Sequence, residues 1–211
     1  MMYSVVILCA GKGTRTGLEY NKMLYQFQGK TVYEMTMKVF LDDPLCGQIV
    51  VVTKQEEKEQ FEKLIDDKRI EFVYGGKERQ DSVYAGLKHC REKYVLIHDG
   101  ARPYVKRESI QDLLDCLKTH KACLLMVPCK DTIKVVDDHK IVHTLKRETL
   151  MQAQTPQAFE RQLILDAYTQ GIEKNFQATD DAQMVEVFTD EKVYVVLGDY
   201  ENKKITTRED L

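Results

Sequence analysis

A chain of 211 residues is long enough for one domain with a substantial core, and its 43% hydrophobic and 31% charged content is ordinary for a folded globular protein. The formal net charge of −3 gives no footing for a nucleic-acid surface or for attraction to an anionic membrane, so each Arg and Lys is judged singly. No apolar run approaches the ~18 residues of a membrane span, and the first residues read as a strand, not a cleavable leader, which points to a cytoplasmic protein. The cysteines Cys9, Cys46, Cys90, Cys116, Cys123 and Cys129 are scattered without a C-x-x-C pair, and no H-E-x-x-H occurs. Zinc and disulfide readings are therefore disfavoured, and buried thiols are expected.

In chain order, Tyr3-Ser4-Val5-Val6-Ile7-Leu8 reads as a strand buried on both faces, as in a parallel sheet. It stops at Cys9-Ala10-Gly11-Lys12-Gly13-Thr14-Arg15, with Lys22 seven residues beyond the arginine. Gly11 and Gly13 let backbone N–H groups approach an anion closely, and Arg15 and Lys22 supply charge. That combination at the carboxyl end of a buried strand suits a triphosphate. The spacing is neither a Walker A loop nor a dinucleotide fingerprint. The plain alternative is a glycine-rich turn with both cations solvated.

Strand and helix signals then alternate, the mark of an α/β sheet. Met23 to Phe27 is a short apolar piece, and Thr31 with Glu34 forms a capping box for a helix through Phe40. Gln48 to Thr53 is a second buried strand, Gln55 to Ile65 a charged helix, and Ile70 to Tyr74 a third strand. Gly75 and Gly76 precede a helix starting near Arg79 or Gln80, where amides and the helix dipole converge on an anion or a polar base edge. Arg79 and Ser82 add donors. The plain alternative is a turn with Asp81 capping the helix.

Tyr94 to His98 is a fourth strand, ending in Asp99-Gly100-Ala101-Arg102-Pro103. Ligands of open parallel sheets bind outside the carboxyl ends of the strands. A carboxylate facing a polyphosphate needs a cation between them, which makes Asp99 the Mg²⁺ candidate, with a turn or capping role as the alternative. His98 is expected to be a hydrogen-bonded strand end. Glu108 to Thr119 reads as a helix and Ala122 to Val127 as a fifth strand. Asp131 to Val136 and Lys140 to Leu145 form a hairpin around Asp137-Asp138-His139. A lone hairpin is marginal in water, so it should pack on a second subunit. Gln154 to Phe159 leads into a helix to about Gln170, Thr179 to Ala182 caps another helix to Val187, and Lys192 to Leu197 is a last strand. There is no repeat, linker or domain boundary, so residues 1–211 read as one domain.

These segments carry AGKGTR with Lys22, GGKERQDSV, HDGARP, VPCKDTIKVV, AQTPQAF, ATDDAQMVE and NKKITTREDL. In that order, over nearly the whole chain, they resemble the 2-C-methyl-D-erythritol 4-phosphate cytidylyltransferases of the non-mevalonate isoprenoid pathway. The resemblance implies a Rossmann-like, three-layer nucleotidyltransferase fold with a mostly parallel sheet and a protruding β-arm, here at about 131–145, that makes a homodimer. It implies a reaction of CTP with the sugar-alcohol phosphate, giving the CDP-alcohol and pyrophosphate with Mg²⁺.

By motif, Arg15 and Lys22 are the catalytic cations, and Ala10, Gly11, Gly13, Gly76, Ser82 and Gly100 border the nucleotide. Arg102, Thr132, Arg147, Thr155, Thr179 and Lys204 match positions around the sugar phosphate, some supplied across the dimer, and Asp99 matches the metal-side acid. Asn21 stands where the family often has proline, and Lys203 where it has an apolar residue. Ribitol-5-phosphate cytidylyltransferase shares the loop, the QTPQ block and the trailing Lys-Ile-Thr-Thr. Gly75-Gly76 with Arg79-Gln80-Asp81-Ser82, and the double acid Asp180-Asp181, favour the methylerythritol enzyme. A nucleotide-binding protein without catalysis is opposed by the joint presence of Arg15, Lys22 and Asp99.

Overall fold

The computed structural model describes residues 1–11 and 17–210, so Gly13 and Arg15 lie outside the described residues. Along the chain come β1 (Tyr3–Leu8), β2 (Gln26–Phe27), β3 (Lys30–Thr31), α1 (Val32–Leu41), β4 (Cys46–Thr53), α2 (Lys58–Glu62), β5 (Ile70–Tyr74) and α3 (Arg79–Leu87). Then follow β6 (Tyr94–Asp99), α4 (Arg107–Cys116), β7 (Ala122–Pro128), β8 (Lys134–Asp137), β9 (Lys140–Thr144), β10 (Met151–Glu160), α5 (Arg161–Glu173), α6 (Asp181–Phe188) and β11 (Tyr194–Leu197).

The main sheet has the order β11-β7-β10-β6-β1-β4-β5. Only β10 runs against the others, pairing antiparallel with both β6 and β7. Successive side chains of a strand point to opposite faces, and the core divides accordingly. Tyr3, Val5 and Ile7 of β1 pack with Ile49, Val51 and Leu96 against Met37 and Phe40 of α1 and Ile110, Leu113 and Leu114 of α4. Val6 joins Val50, Val52, Val95 and Ile97 on the other face, against Val83 and Leu87 of α3, Ile164 and Tyr168 of α5, and Met184 of α6. Two helical layers on a sheet buried from both sides explain the apolar runs Val5-Val6-Ile7-Leu8 of β1 and Ile49-Val50-Val51-Val52 of β4. Truncating any fully buried Leu or Ile here is expected to cost ~2–5 kcal/mol.

The local signals operate as physics requires. The Thr31 hydroxyl accepts from the Glu34 amide at 3.1 Å while the Glu34 carboxylate accepts from the Thr31 amide at 2.7 Å, closing the capping box of α1. Asp138 and His139 both have positive φ, 42° and 59°, as a tight two-residue hairpin turn demands. Among the described residues the β8–β9 ribbon pairs only with itself.

Two expectations need correction. The charged helix from Gln55 to Ile65 is a 3-10 turn at Gln55–Glu57 followed by the five-residue α2. Phe61 is its only fully buried apolar side chain, and Leu64 and Ile65 pack on the core from beyond the helix end. Residues Met151–Glu160 do lead into a helix, α5, but are themselves a central strand, which the sequence reading does not assign. Gln, Thr and Pro disguise it, because a strand that buries polar side chains lacks the apolar signature, and a proline argues against a central position. The protein supplies the partners: Gln154 Nε2 donates to the Asp199 carbonyl at 2.8 Å, and Gln157 Nε2 donates to Asp180 Oδ2 at 2.9 Å.

Candidate active site

The chain order reverses between β1 and β6, since β4 and β5 lie on one side of β1 and β6 on the other. A crevice at such a switch point is the expected ligand site of an open parallel sheet. A cleft of about 920 Å³ occupies it, walled by the segments leaving β1, β4, β5 and β6 and by residues near the C-terminus. Among the described residues, five cationic side chains line it, Lys22, Lys54, Lys77, Arg79 and Lys204, against the two carboxylates of Glu78 and Asp99. A chain of net charge −3 thus concentrates positive charge in one cleft, which draws in anions.

Leu8 lies opposite Asp99 in the β1–β6 register, which sets the carboxylate beside the start of the loop at Cys9. Asp99 Oδ2 accepts from Lys204 Nζ at 2.6 Å and Oδ1 from Arg79 Nε at 3.3 Å. Burial works against this carboxylate, yet the charges of Arg79 and Lys204 outweigh it and hold the carboxyl well below the usual range. Arg79 also clasps Asp181, Nη1 to Oδ1 at 2.8 Å and Nη2 to Oδ2 at 2.7 Å, and the Tyr168 hydroxyl donates to Asp181 Oδ1 at 2.5 Å. Burial opposes the charge on Arg79, but Asp181 and Asp99 overcome it, and the guanidinium stays protonated.

Lys22 enters from a short 3-10 turn, Lys22–Leu24, and its Nζ donates to the Ile205 carbonyl at 2.6 Å. Ile205 is held in turn by its amide bond to the Ala101 carbonyl at 2.8 Å. The C-terminal segment therefore crosses the cleft between Lys22 and the β6 end, with Lys204 and Thr206 lining it. Ala10, Gly11, Gly76 and Ser82 line the opposite part. The Gly76 amide donates to Ser82 Oγ at 3.2 Å, and a Cβ on Gly76 would lie 2.3 Å from Cβ of Asp81, so the turn tolerates no side chain there as it stands.

Other expected residues are not among those that line the cleft of this chain. Gly100 is buried and does not line the cleft; a Cβ there would meet the Leu8 carbonyl and Cε of Met23, each at 2.8 Å, so its freedom serves chain packing. The Thr155 hydroxyl accepts from the Asp99 amide at 3.0 Å and lies 3.1 Å from His98 Nδ1. His98 Nε2 is 3.1 Å from the Arg102 carbonyl, which can only accept, so Nε2 carries the proton and Nδ1 accepts from Thr155. Burial lowers the His98 pKa to about 4, so the ring is neutral. Arg102 Nη1 donates to the Asn202 carbonyl at 2.6 Å, while its Nε is buried without a partner among the described residues. Burial pulls the Arg102 pKa below the ordinary arginine value.

Thr179 is exposed before α6, its amide bonded to Gln183 Oε1 at 2.7 Å. Thr132 and Arg147 are exposed at the base of the β8–β9 ribbon, where Arg147 Nη1 donates to the Lys130 carbonyl at 3.4 Å; neither lines the cleft of this chain. Lys54, Lys77 and Asn21 line the cleft without having been singled out as ligand-facing. Lys54 directly follows β4, so the strand-end rule that selected Asp99 also selects it. Asp181 enters the sequence reading as part of a helix cap and of the Asp180-Asp181 pair, and nothing local marks it as the partner of Arg79, 102 positions away in sequence.

A mostly parallel α/β sheet with a cationic cleft at the carboxyl ends of its strands, an ionised aspartate among the lysines and, among the described residues, no acid–base dyad at its centre is the arrangement of a nucleotidyltransferase. The chain belongs to the 2-C-methyl-D-erythritol 4-phosphate cytidylyltransferase (IspD) family, whose model matches residues 3–211. It is similar to proteins of that name from Clostridioides difficile, 44% identical over 100% of this chain and 91% of that one, and from Bacillus licheniformis, 42% identical over 100% and 93%. Among solved structures, 4-diphosphocytidyl-2C-methyl-D-erythritol synthase of Anaerococcus prevotii superposes with a TM-score of 0.89 at 33% identity, covering 99% of this chain and 94% of that one. The Francisella tularensis cytidylyltransferase gives 0.85 at 31% identity, over 100% and 96%.

Proposed function

We infer that this chain transfers the cytidylyl group of CTP to the phosphate of 2-C-methyl-D-erythritol 4-phosphate, giving 4-diphosphocytidyl-2-C-methyl-D-erythritol and pyrophosphate. The observation that carries it is the convergence of Lys22, Lys204 and Arg79 on one cleft at the strand ends, in a chain whose relatives bear that activity in their names. An oxygen of the sugar phosphate forms a bond to the α-phosphorus of CTP as the bond to pyrophosphate breaks. The attacking oxygen is already anionic near neutral pH, so the step requires no general base. It requires two mutually repelling anions to be held in line while charge on the equatorial and leaving oxygens is neutralised. Lys22 supplies a compact charge from within the cleft, and Arg15 is assigned the bidentate grip on phosphate oxygens. Ala10, Gly11, Gly76 and Ser82 are assigned to the nucleotide, and Lys204, Arg102 and Thr179 to the sugar phosphate. Ribitol 5-phosphate is the disfavoured acceptor, because the family model and these relatives are of the methylerythritol enzyme.

Asp99 is the residue proposed to hold Mg²⁺. Its carboxylate is ionised and lines the cleft, and no group of three potential ligands occurs among the described residues. A single carboxylate fits an ion that takes its remaining ligands from phosphate and water. When bound, Mg²⁺ would neutralise phosphate charge beside the ammonium of Lys204.

A homodimer is proposed from the β8–β9 ribbon, which exposes Val136 (57%), Ile141 (66%) and Val142 (59%) while pairing with no other strand among the described residues. Thr132 and Arg147 at its base are assigned to the partner's sugar phosphate. All six cysteines are free, which agrees with a reducing cytoplasm. The deciding experiment is pyrophosphate release from CTP with methylerythritol phosphate and ribitol phosphate in turn. Turnover with the first alone is expected; preference for the second would overturn the reading.

A further inference from the structure

Lys22 has a long, flexible stem, so the direction of its charge depends on how firmly its backbone is held. Asn21, immediately before it, is buried to 4% exposure and spends its whole side chain on that task. Oδ1 accepts from the Met23 amide at 3.0 Å, starting the turn that carries Lys22. Nδ2 donates to the Cys9 carbonyl at 2.7 Å and to Glu57 Oε2 at 2.7 Å. Cys9 is itself fixed to β4 through its amide bond to the Val52 carbonyl at 2.8 Å. Glu57, 9% exposed, takes Lys54 Nζ on its other oxygen at 2.9 Å. The φ of Asn21, −63°, is the value a proline ring would fix; here hydrogen bonds supply the restraint.

We propose that Asn21 and Glu57 are a positioning pair: together they tie the end of β1 to the turn bearing Lys22 and aim the Lys22 ammonium into the cleft. This deepens the cytidylyltransferase reading and rests on it. Neither residue needs to touch substrate. The pair joins the two ends of the segment between Cys9 and Lys22, and Glu57 also draws Lys54 to the cleft wall. A displacement of about 1 Å at a reacting centre costs on the order of 10²-fold in rate.

The test uses the full-length chain, with CTP titrated in the pyrophosphate-release assay and CTP binding measured by calorimetry. The variants are Asn21→Ala, Asn21→Ser, Glu57→Ala, Glu57→Gln and the double Asn21→Ala/Glu57→Ala. Asn21→Ser keeps an acceptor for the Met23 amide yet cannot reach Glu57, so it tests the link where the alanine variant melts. Folded Asn21→Ser and Glu57→Ala are expected to lose about ten- to a hundredfold in kcat/KM for CTP. KM for the sugar phosphate should stay within about twofold. The double variant should be no worse than the worse single, as coupled residues require. Glu57→Gln, whose amide oxygen still accepts from Asn21, should recover most of the Glu57→Ala loss. Additive losses, or an Asn21→Ser enzyme within about threefold of wild type, overturn the proposal. A wild type that binds CTP but transfers nothing overturns the functional reading instead, and the CTP affinities of the variants then decide the pair.

Discussion

Arg79, the first residue of α3, holds both carboxylate oxygens of Asp181, the first residue of α6, at 2.8 and 2.7 Å, and keeps its Nε for Asp99. The pair fixes the guanidinium plane, so the third donor has one direction left to point. Asp181 is thereby an anchor and Asp99 the acid left facing the cleft. Cutting the anchor strands a charge in the interior. Asp181→Ala is expected to destabilise the fold by about 3 kcal/mol, the low end for a broken buried pair because Arg79 is one-third exposed. In a chain of this length that lowers Tm by roughly 6–12 °C, readable in a thermal melt. Tyr168→Phe, which removes only the hydroxyl donated to Asp181, should cost about 1–2 kcal/mol.

Lys22→Ala tests the catalytic assignment. Losing one preorganised donor to a developing charge typically costs ~3–4 kcal/mol of barrier, on the order of 10²–10³ in kcat. The variant should melt close to wild type, since the turn that carries Lys22 is held through Asn21. Turnover within a few-fold of wild type would remove Lys22 from the mechanism.

His98 sets the acid limit of stability. Its pKa is about 4 when folded and about 6.5 when unfolded, so on acidification the unfolded chain takes up a proton that the folded chain refuses. Stability is therefore fully present above about pH 6.5 and declines down to about pH 4, by on the order of 3 kcal/mol for this group. Asp99 acts lower: its contribution persists above the unfolded carboxyl value of about 3.9 and is lost only as pH falls below it. Urea denaturation at pH 7.5, 6 and 5 measures the slope. Nitrogen NMR should show a neutral ring protonated at Nε2 down to about pH 5. A ring titrating near 6.5 would contradict the assignment.

Thr155 separates an internal brace from a substrate contact. Its hydroxyl is used by the Asp99 amide and His98 Nδ1. Thr155→Val leaves both without their partner at nearly unchanged shape, costing about 1–3 kcal/mol. Thr155→Ser should restore most of it. KM for the sugar phosphate should change less than twofold in either; a tenfold rise in Thr155→Ser would place the residue on the substrate instead.

What the sequence determined by itself is what local physics governs. The apolar runs within β1 and β4 required a sheet covered on both faces, the Thr31–Glu34 box started α1 where it starts, and ordered motifs named the family. The tertiary structure decided everything that depends on distant partners. β10 hid behind Gln154, Thr155, Pro156 and Gln157, because polar residues enter a central strand only when distant groups complete their hydrogen bonds, and no local pattern records those groups. Asp181 became the anchor of Arg79, and Gly100 turned from the cleft into packing, for the same reason. Hydrophobic periodicity is a short-range property of the chain, whereas the pairing of buried charges is settled only when the sheet brings strand ends together.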